Sequence, residues 1–199
     1  MRMLKEIRIA GFGGQGVILA AAVIGKAEAI FQGGFACMTQ SFGPEARGGS
    51  SSAQVILSSE PILYPYVPQP DILVVMSQEA YTRFSPQLKP GGILITEQDL
   101  VRIDKVPPGV RVYGVPATRL AEEIGKKVVL NIVMVGFFGA ITNLLDPEAL
   151  RKAVADSVPP ALQALNLKAF DKGFAYGTEL IVRLAENGDS EEVATLEAV

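Results

Sequence analysis

A predicted strand, a glycine turn and a predicted helix follow one another directly near the start of this chain. Residues 7–10 are mostly apolar and β-branched, and glycine recurs at positions 11, 13 and 16. Residues 17–30 are rich in Ala, Ile and Leu and contain no Pro, as in a helix that is covered on both sides. This order is typical of the first βα unit of an α/β fold.

The rest of the chain continues the pattern of short apolar runs separated by turns and helices. Further strands are predicted at 35–39, 54–57, 71–76, 93–96 and 110–115, and further helices at 78–88, 119–124, 128–145, 147–158 and 161–186. Asp146 is the predicted N-cap of the helix at 147–158. Because strands and helices alternate, we expect an α/β fold with a single doubly wound, mostly parallel sheet, helices on both faces and a helical C-terminal part. We expect one domain over residues 1–186 and an acidic, flexible tail over 187–199.

The composition excludes several kinds of site. The sequence has no His and a single Cys, so the chain cannot supply a catalytic imidazole, a His-bound zinc or the four thiolates of an iron–sulfur cluster. Its 18 basic and 21 acidic residues give a formal charge of −3. No basic, aromatic-rich segment indicates a nucleic-acid partner, and no acidic residues stand at metal-ligand spacing.

Cysteine usage and the N-terminal sequence favour a cytoplasmic protein. A lone Cys is unusual in a secreted chain, and the first ten residues are charged, unlike a signal peptide. The uncharged segment 128–145 is marginally long enough to span a membrane, but Asn131 and two glycines favour a buried or interface helix. As an interface helix it would expose Val135, Phe138 and Ile141 in an isolated chain.

The first candidate site is the glycine turn, formed by Gly11, Gly13, Gly14, Gln15 and Gly16. Its spacing fits the fingerprint in which small residues let a diphosphate approach the backbone N–H groups at the start of a helix. A dinucleotide site also needs an acidic residue at the end of the second strand, where this sequence has Met-Thr-Gln, so NAD binding is disfavoured. Alternatively, the glycines only let the strand and the helix pack closely, a role that does not require Gln15.

The second candidate site is the glycine-bearing loop over 41–50. Ligands collect outside the carboxyl ends of the strands in open α/β sheets, so this loop and the glycine turn should face one crevice. Arg47 can hold a carboxylate or a phosphate through two hydrogen bonds; alternatively, Glu45 and Arg47 form a solvated surface pair. The candidate residues in the loop are Ser41, Gly43, Glu45, Arg47, Gly48 and Gly49.

Three further polar or reactive side chains carry weaker signals. Ser77 follows the buried strand at 71–76 and either caps the next helix or faces the crevice. Asn131 is interpreted as a satisfied core amide. Cys37, which lies among apolar neighbours, is interpreted as a small buried hydrophobic residue.

Four motifs occur in a recognisable order along the chain. They are Gly-Phe-Gly-Gly-Gln-Gly at 11–16, Gln-Ser-Phe-Gly-Pro-Glu-Ala-Arg-Gly-Gly at 40–49, Met-Ser-Gln-Glu-Ala-Tyr at 76–81 and Leu-Lys-Pro-Gly-Gly at 88–92. Together they resemble the gamma subunit of 2-oxoacid:ferredoxin oxidoreductases, over about residues 6–175. The form of the second motif is most similar to the 2-oxoglutarate branch. The alternatives are a branched-chain 2-oxoacid or pyruvate enzyme and a stand-alone nucleotide-binding protein.

The resemblance implies a subunit of a complex, one that is inactive alone and contributes no catalytic residue. Such a complex oxidatively decarboxylates a 2-oxoacid with coenzyme A and reduces ferredoxin. The resemblance places thiamine diphosphate and the iron–sulfur clusters on the partner alpha, beta and ferredoxin-like delta subunits, in a heterotetramer. We therefore expect this chain to bind no cofactor alone, and we consider a homodimer for the isolated subunit. The glycine turn and the loop over 41–50 would dock on the partners and help receive coenzyme A.

Replacing the arginine of the second motif tests its predicted role. In a reconstituted complex, we expect Arg47→Ala to raise the KM for coenzyme A roughly tenfold, the effect of losing one charge-assisted hydrogen bond, with assembly intact. Steady-state kinetics and mass measurement check both points. An unchanged KM together with unchanged assembly would remove Arg47 from this role.

Overall fold

The computed structural model describes residues 3–43 and 49–186. Six strands form one sheet within this part of the chain. They span Leu4–Phe12 (β1), Phe35–Phe42 (β2), Ser50–Ser58 (β3), Ile72–Val75 (β4), Ile93–Glu97 (β5) and Arg111–Val115 (β6). Their order is β2-β3-β1-β4-β5-β6, and β3 runs antiparallel to the other five strands. The prediction of a single, mostly parallel sheet is confirmed.

The helices lie close to their predicted positions. They span Val17–Lys26 (α1), Gln78–Phe84 (α2), Ala117–Glu123 (α3), Leu130–Thr142 (α4), Pro147–Asp156 (α5) and Pro160–Glu186 (α6). A π-helical segment, Ala27–Gln32, continues α1, and short 3-10 turns follow α2 and precede α4. The carboxylate of Asp146 accepts hydrogen bonds from the backbone N–H groups of Glu148 and Ala149, at 2.7 and 3.1 Å, so it caps α5 as predicted.

The connection between the second and third strands differs from the sequence prediction. β2 extends to Phe42 and β3 begins at Ser50, so only residues 43–49 separate two antiparallel strands. A parallel crossover needs a dozen or more residues, and a segment this short can only turn the chain back. Ser41 and Ser50, predicted in the loop, therefore lie in the two strands.

Helices cover both faces of the sheet. The larger hydrophobic core joins the sheet to α1, α3, α4, α5 and α6, whereas a smaller one joins the opposite face to α2 and the segment around Val101 and Val110. The side chains of Val135 and Phe138 on α4 are each 1% exposed. Of the two alternatives for the segment at 128–145, the buried helix is therefore confirmed. Among the described helices, none combines the length and the apolar character needed to cross a membrane.

Two further sequence expectations concern Cys37 and the tail. Cys37 is only half-buried, so its interpretation as a fully buried residue is wrong. Its strand, β2, lies at the edge of the sheet and has a neighbour on one side only. The predicted acidic tail, 187–199, lies outside the described residues.

The packing of α4 against α6 depends on glycines that face the partner helix. A Cβ at Gly173 would overlap the carbonyl group of Val133, and a Cβ at Gly136 would overlap the carbonyl group of Phe170. At Gly177, a Cβ would lie 2.7 Å from the Cβ of Ala140. At Gly173 and Gly136 a new methyl group would collide with backbone atoms, which cannot move without separating the two helices.

Replacing these glycines by Ala tests the packing, because the free energy of unfolding should fall where the glycine is closely packed and rise where it is not. We expect Gly173→Ala to lower the free energy of unfolding by roughly 1–3 kcal/mol through overpacking, and Gly177→Ala to lower it less. Replacing an unobstructed helical glycine by Ala would instead raise the free energy of unfolding by about 1 kcal/mol. Chemical denaturation monitored by circular dichroism measures both changes, and a stabilised Gly173→Ala protein would contradict the packing.

Candidate functional site

The glycine turn and the predicted loop meet where the parallel strands of the sheet have their carboxyl ends. This end of the sheet is called its carboxyl edge below. β1 and β2 both run antiparallel to β3, so their carboxyl ends lie on the same side. The backbone N–H of Gly13 donates to the carbonyl oxygen of Gly49 at 2.8 Å, and that of Gly43 donates to the carbonyl oxygen of Ser50 at 2.7 Å. The structure thus brings the two segments into direct contact through their backbones. Glu45, Arg47 and Gly48 lie outside the described residues.

The last glycine of the turn is required by both its conformation and its surroundings. Gly16 has a left-handed φ of 75° where α1 begins, and a Cβ there would overlap the side chain of Asn131. Asn131 is 3% exposed, and its Nδ2 donates to the Gly16 carbonyl oxygen at 3.2 Å. Asn131 is therefore the satisfied core amide that the sequence predicts, and it holds α4 against the turn.

Gln15 has a structural function that the sequence does not reveal. Its Oε1 accepts from the backbone N–H of Phe12 at 2.6 Å, and its Nε2 donates to the carbonyl oxygen of Met76 at 2.7 Å. The side chain thus joins the end of β1 to the residue that follows β4. The expectation that a packing role for the turn does not require Gln15 is wrong, because this side chain fixes the turn to the sheet.

The beginning of α1 is able to receive an anion. Gly16 supplies no side-chain cap, and no acidic residue lies in the first turn, so the helix dipole and its N–H groups lack a negative side-chain partner there. Gly13 and Gly14 are exposed beside it. Phosphate binding at this turn stays a prediction.

A pocket of about 190 Å³ lies at the same edge, between the β2–β3 hairpin and α2. Most of its lining residues are small or hydroxylic, with one acidic and one basic side chain from α2. The lining residues are Gly11, Ser41, Phe42, Gly43, Ser50, Ser51, Ser52, Glu79, Ala80, Arg83 and Phe84. Gly11, Ser41 and Gly43 are predicted site residues, whereas Ser50–Ser52 and Arg83 are not.

Two signals in the sequence could have indicated the additional lining residues. The serines at 50–52 are a polar run at the start of an otherwise apolar strand, and the motif at 76–81 contains Glu79. Nothing in the sequence places Arg83 against the hairpin, since that contact depends on how α2 packs. Ser77 caps α2, because its Oγ accepts from the backbone N–H of Ala80 at 3.2 Å, so the cap alternative is confirmed.

A buried carboxylate farther along this edge has a structural role. Glu97, at the end of β5, is 0% exposed, and its oxygens accept from the backbone N–H groups of Thr118, Asp99 and Leu100 at 3.0, 3.0 and 2.8 Å. It therefore holds the start of α3. Within residues 3–43 and 49–186, no group of three or more Cys, Asp or Glu side chains could hold a metal ion.

Comparison with known proteins identifies the relatives of this chain. Residues 6–176 match the family model described as pyruvate ferredoxin/flavodoxin oxidoreductase. The 2-oxoglutarate synthase subunit KorC of Methanocaldococcus jannaschii is 47% identical over 182 residues, which cover 90% of this chain and 97% of KorC. The pyruvate synthase subunit PorC of the same organism is 29% identical over 173 residues, covering 85% of this chain and 94% of PorC.

Two solved structures have the same fold. The gamma subunit of a keto/oxoacid ferredoxin oxidoreductase from Geobacter sulfurreducens is 39% identical, with a TM-score of 0.79 over 89% of this chain and 98% of that subunit. The 2-oxoglutarate:ferredoxin oxidoreductase of Magnetococcus marinus, solved with 2-oxoglutarate, coenzyme A and succinyl-CoA bound, is 28% identical. Its TM-score is 0.79 over 88% of this chain and 31% of the Magnetococcus chain.

Removing the side chain of Gln15 tests its function as a structural link. We expect Gln15→Ala to lower the free energy of unfolding by about 1–2 kcal/mol, because the Phe12 N–H and the Met76 carbonyl lose their partner. For a chain of this length, that corresponds to a fall in Tm of roughly 2–8 °C. Gln69→Ala, at an exposed glutamine with no side-chain hydrogen bond in the described structure, is the matched control. Equal Tm values for both variants would contradict the link.

Proposed function

The chain belongs to the pyruvate ferredoxin/flavodoxin oxidoreductase family, and we propose that it is the gamma subunit of a 2-oxoglutarate:ferredoxin oxidoreductase. The observation that carries this proposal is the contrast between two relatives from one organism. Identity is 47% to KorC and 29% to PorC of M. jannaschii, each matched over nearly its whole length. Because the organism is the same, the difference in identity follows the kind of subunit and favours the 2-oxoglutarate branch.

The proposed complex converts 2-oxoglutarate, coenzyme A and two oxidised ferredoxins into succinyl-CoA, CO2, a proton and two reduced ferredoxins. The Magnetococcus relative, solved with 2-oxoglutarate, coenzyme A and succinyl-CoA, supports these reactants. We assign the alpha, beta and ferredoxin-like delta subunits as partners in a heterotetramer, and the cytoplasm as its location. The lone Cys supports the location, since secreted chains usually pair their cysteines.

The residues of this chain do not fit the redox groups of such a complex. One Cys cannot ligate an iron–sulfur cluster, and the described acidic residues form no metal-binding group. The iron–sulfur clusters are therefore assigned to partner subunits, and the resemblance to the family implies the same for thiamine diphosphate. The contribution of this chain is to dock, to shape the entrance to the active site and to help receive coenzyme A.

The carboxyl edge of the sheet is the surface assigned to this contribution. The glycine turn and the hairpin connection are joined there by the Gly13–Gly49 hydrogen bond, so a partner that touches one segment also meets the other. Phe12 and Phe42 are 37% and 63% exposed beside them. Exposed aromatic side chains next to backbone donors are typical of a protein interface.

Reconstitution with the partner subunits tests the proposal. Complexes with and without this chain are assayed for viologen reduction with 2-oxoglutarate, pyruvate and 2-oxoisovalerate, each with and without coenzyme A. We expect the complete complex to have its highest kcat/KM with 2-oxoglutarate and to require coenzyme A. Omitting this chain should reduce that activity at least tenfold.

Each alternative function predicts a different result in the same assay. A higher kcat/KM with pyruvate or 2-oxoisovalerate would assign the chain to another branch. Full activity without this chain would limit it to a structural attachment. Tight binding of NAD(P) or a flavin by the isolated chain, with no assembly, would identify a separate nucleotide-binding protein.

A further inference from the structure

Two arginine side chains contact the same aromatic ring next to the pocket between α2 and the hairpin. The Cζ atoms of Arg8 and Arg83 lie 4.8 and 5.1 Å from the centre of the Phe84 ring. Phe84 and Arg83 both line the pocket. One positive charge, on Arg83, therefore lies at the pocket, and a second, on Arg8, contacts an aromatic ring that lines it.

Neither arginine has an acidic partner among the described residues. No carboxylate of residues 3–43 or 49–186 lies within 4.0 Å of either guanidinium. Arg8 is 5% exposed, its Nη2 donates to the Val67 carbonyl oxygen at 2.6 Å and its Nη1 donates to Gln87 Oε1. Its buried Nε has no hydrogen-bond partner in the part of the chain that the structure describes. A buried cation with neutral partners and a second cation nearby is costly unless an anion compensates it.

The surroundings of Arg8 disfavour its positive charge. Burial, and then the positive charge of Arg83, lower the pKa of the Arg8 guanidinium from its ordinary value. An anion beside Arg83 would reduce the repulsion between the two guanidinium groups and favour the charged form of both.

The remaining lining residues complete the chemistry of the pocket. Ser41 is paired with Ser52 across β2 and β3, so both share one face of the sheet with Ser50, whereas Ser51 points to the other face. The hydroxyls of Ser41, Ser50 and Ser52 make no hydrogen bond to another described residue. Among the described lining residues, Glu79 is the one acidic side chain. Together with Arg8 and Arg83, it leaves an excess of one positive charge. Hydroxyl donors around a guanidinium suit an oxyanion.

We propose that this pocket is an oxyanion-binding subsite, in which Arg83 and the serine hydroxyls bind a phosphate or carboxylate group and Arg8 supplies buried positive charge behind Phe84. This inference rests on the proposed function in its location, since the pocket lies at the edge assigned there to docking and coenzyme A, and it goes beyond that function by assigning Arg83 and the serine hydroxyls to an oxyanion. The subsite is present in the single chain, so it can be measured without the partner subunits or the reaction.

Anion titration of the full-length isolated chain tests the subsite. Calorimetry measures the affinity for inorganic phosphate and for acetate, each against sodium chloride at equal ionic strength. We expect saturable binding at one site per chain and a rise in Tm with the bound anion. Arg83→Gln should weaken that binding about tenfold, whereas Glu79→Gln should strengthen it, because the carboxylate repels the anion.

A matched arginine at the opposite edge of the sheet is the control. Arg111 is exposed, has no acidic partner among the described residues and lines a separate pocket of about 230 Å³ with Lys5 and Lys89. Arg111→Gln should leave the affinity unchanged. Because Arg83 and Glu79 are exposed, their variants should fold, which their Tm in chloride verifies.

Each outcome supports or overturns the subsite. Arg83-dependent binding of phosphate but not acetate supports it and identifies a phosphoryl group as its ligand, whereas comparable binding of acetate supports it with a carboxylate. The proposal is overturned if neither anion binds more tightly than chloride, if Arg83→Gln binds as the unmodified chain does, or if Arg111→Gln causes the loss. None of these results depends on which 2-oxoacid the complex uses, so failure here and failure of the proposed function are distinguishable.

Discussion

The two hydrogen bonds of the Gln15 side chain determine the position of the glycine turn. One ends on the N–H of Phe12 and the other on the carbonyl oxygen of Met76, so the turn is attached to β1 and to the end of β4 at once. Gly16 then directs the chain into α1 and packs against Asn131, the first buried amide of α4. The starts of two helices and the end of the central strand consequently depend on one amide side chain. A turn fixed in this way can present its backbone to a partner without a large entropic cost on binding.

The antiparallel direction of β3 brings a hairpin to the carboxyl edge of the sheet, beside the glycine turn. Because β3 returns alongside β2 within a short connection, the hairpin extends to the same edge as the glycine turn and supplies the wall of the pocket opposite α2. A crossover helix at this point would have carried the chain away from the edge. The residues at 50–52 therefore line the pocket, whereas in a parallel arrangement they would begin a covered strand.

The roles that could be predicted belong to residues whose partners are close to them in the sequence. The glycine pattern, the Asp146 cap and the continuous apolar run at β4 each depend on neighbours within a few positions, and the structure agrees with all three. Gln15, Cys37 and Arg83 were misjudged or missed because their environments come from distant parts of the chain. Met76 is 61 residues from Gln15, and the exposure of Cys37 follows from the edge position of β2. Arg8 illustrates the same limit, since its residue type gives no indication that it is buried without an acidic partner.

By itself, the sequence determined the α/β class, the order of most elements and the family, because hydrophobic periodicity and short motifs are carried by adjacent residues. The absence of His and the single Cys also determined that this chain cannot supply the ligands of a His-bound metal or of a four-thiolate iron–sulfur cluster, since ligand chemistry depends on residue type alone. The tertiary structure alone decided the direction of β3, the contact between the glycine turn and the hairpin, and the pairing of Arg8 with Arg83 on Phe84. These features arise from packing between segments far apart in the chain, and a one-dimensional pattern contains no distance between them.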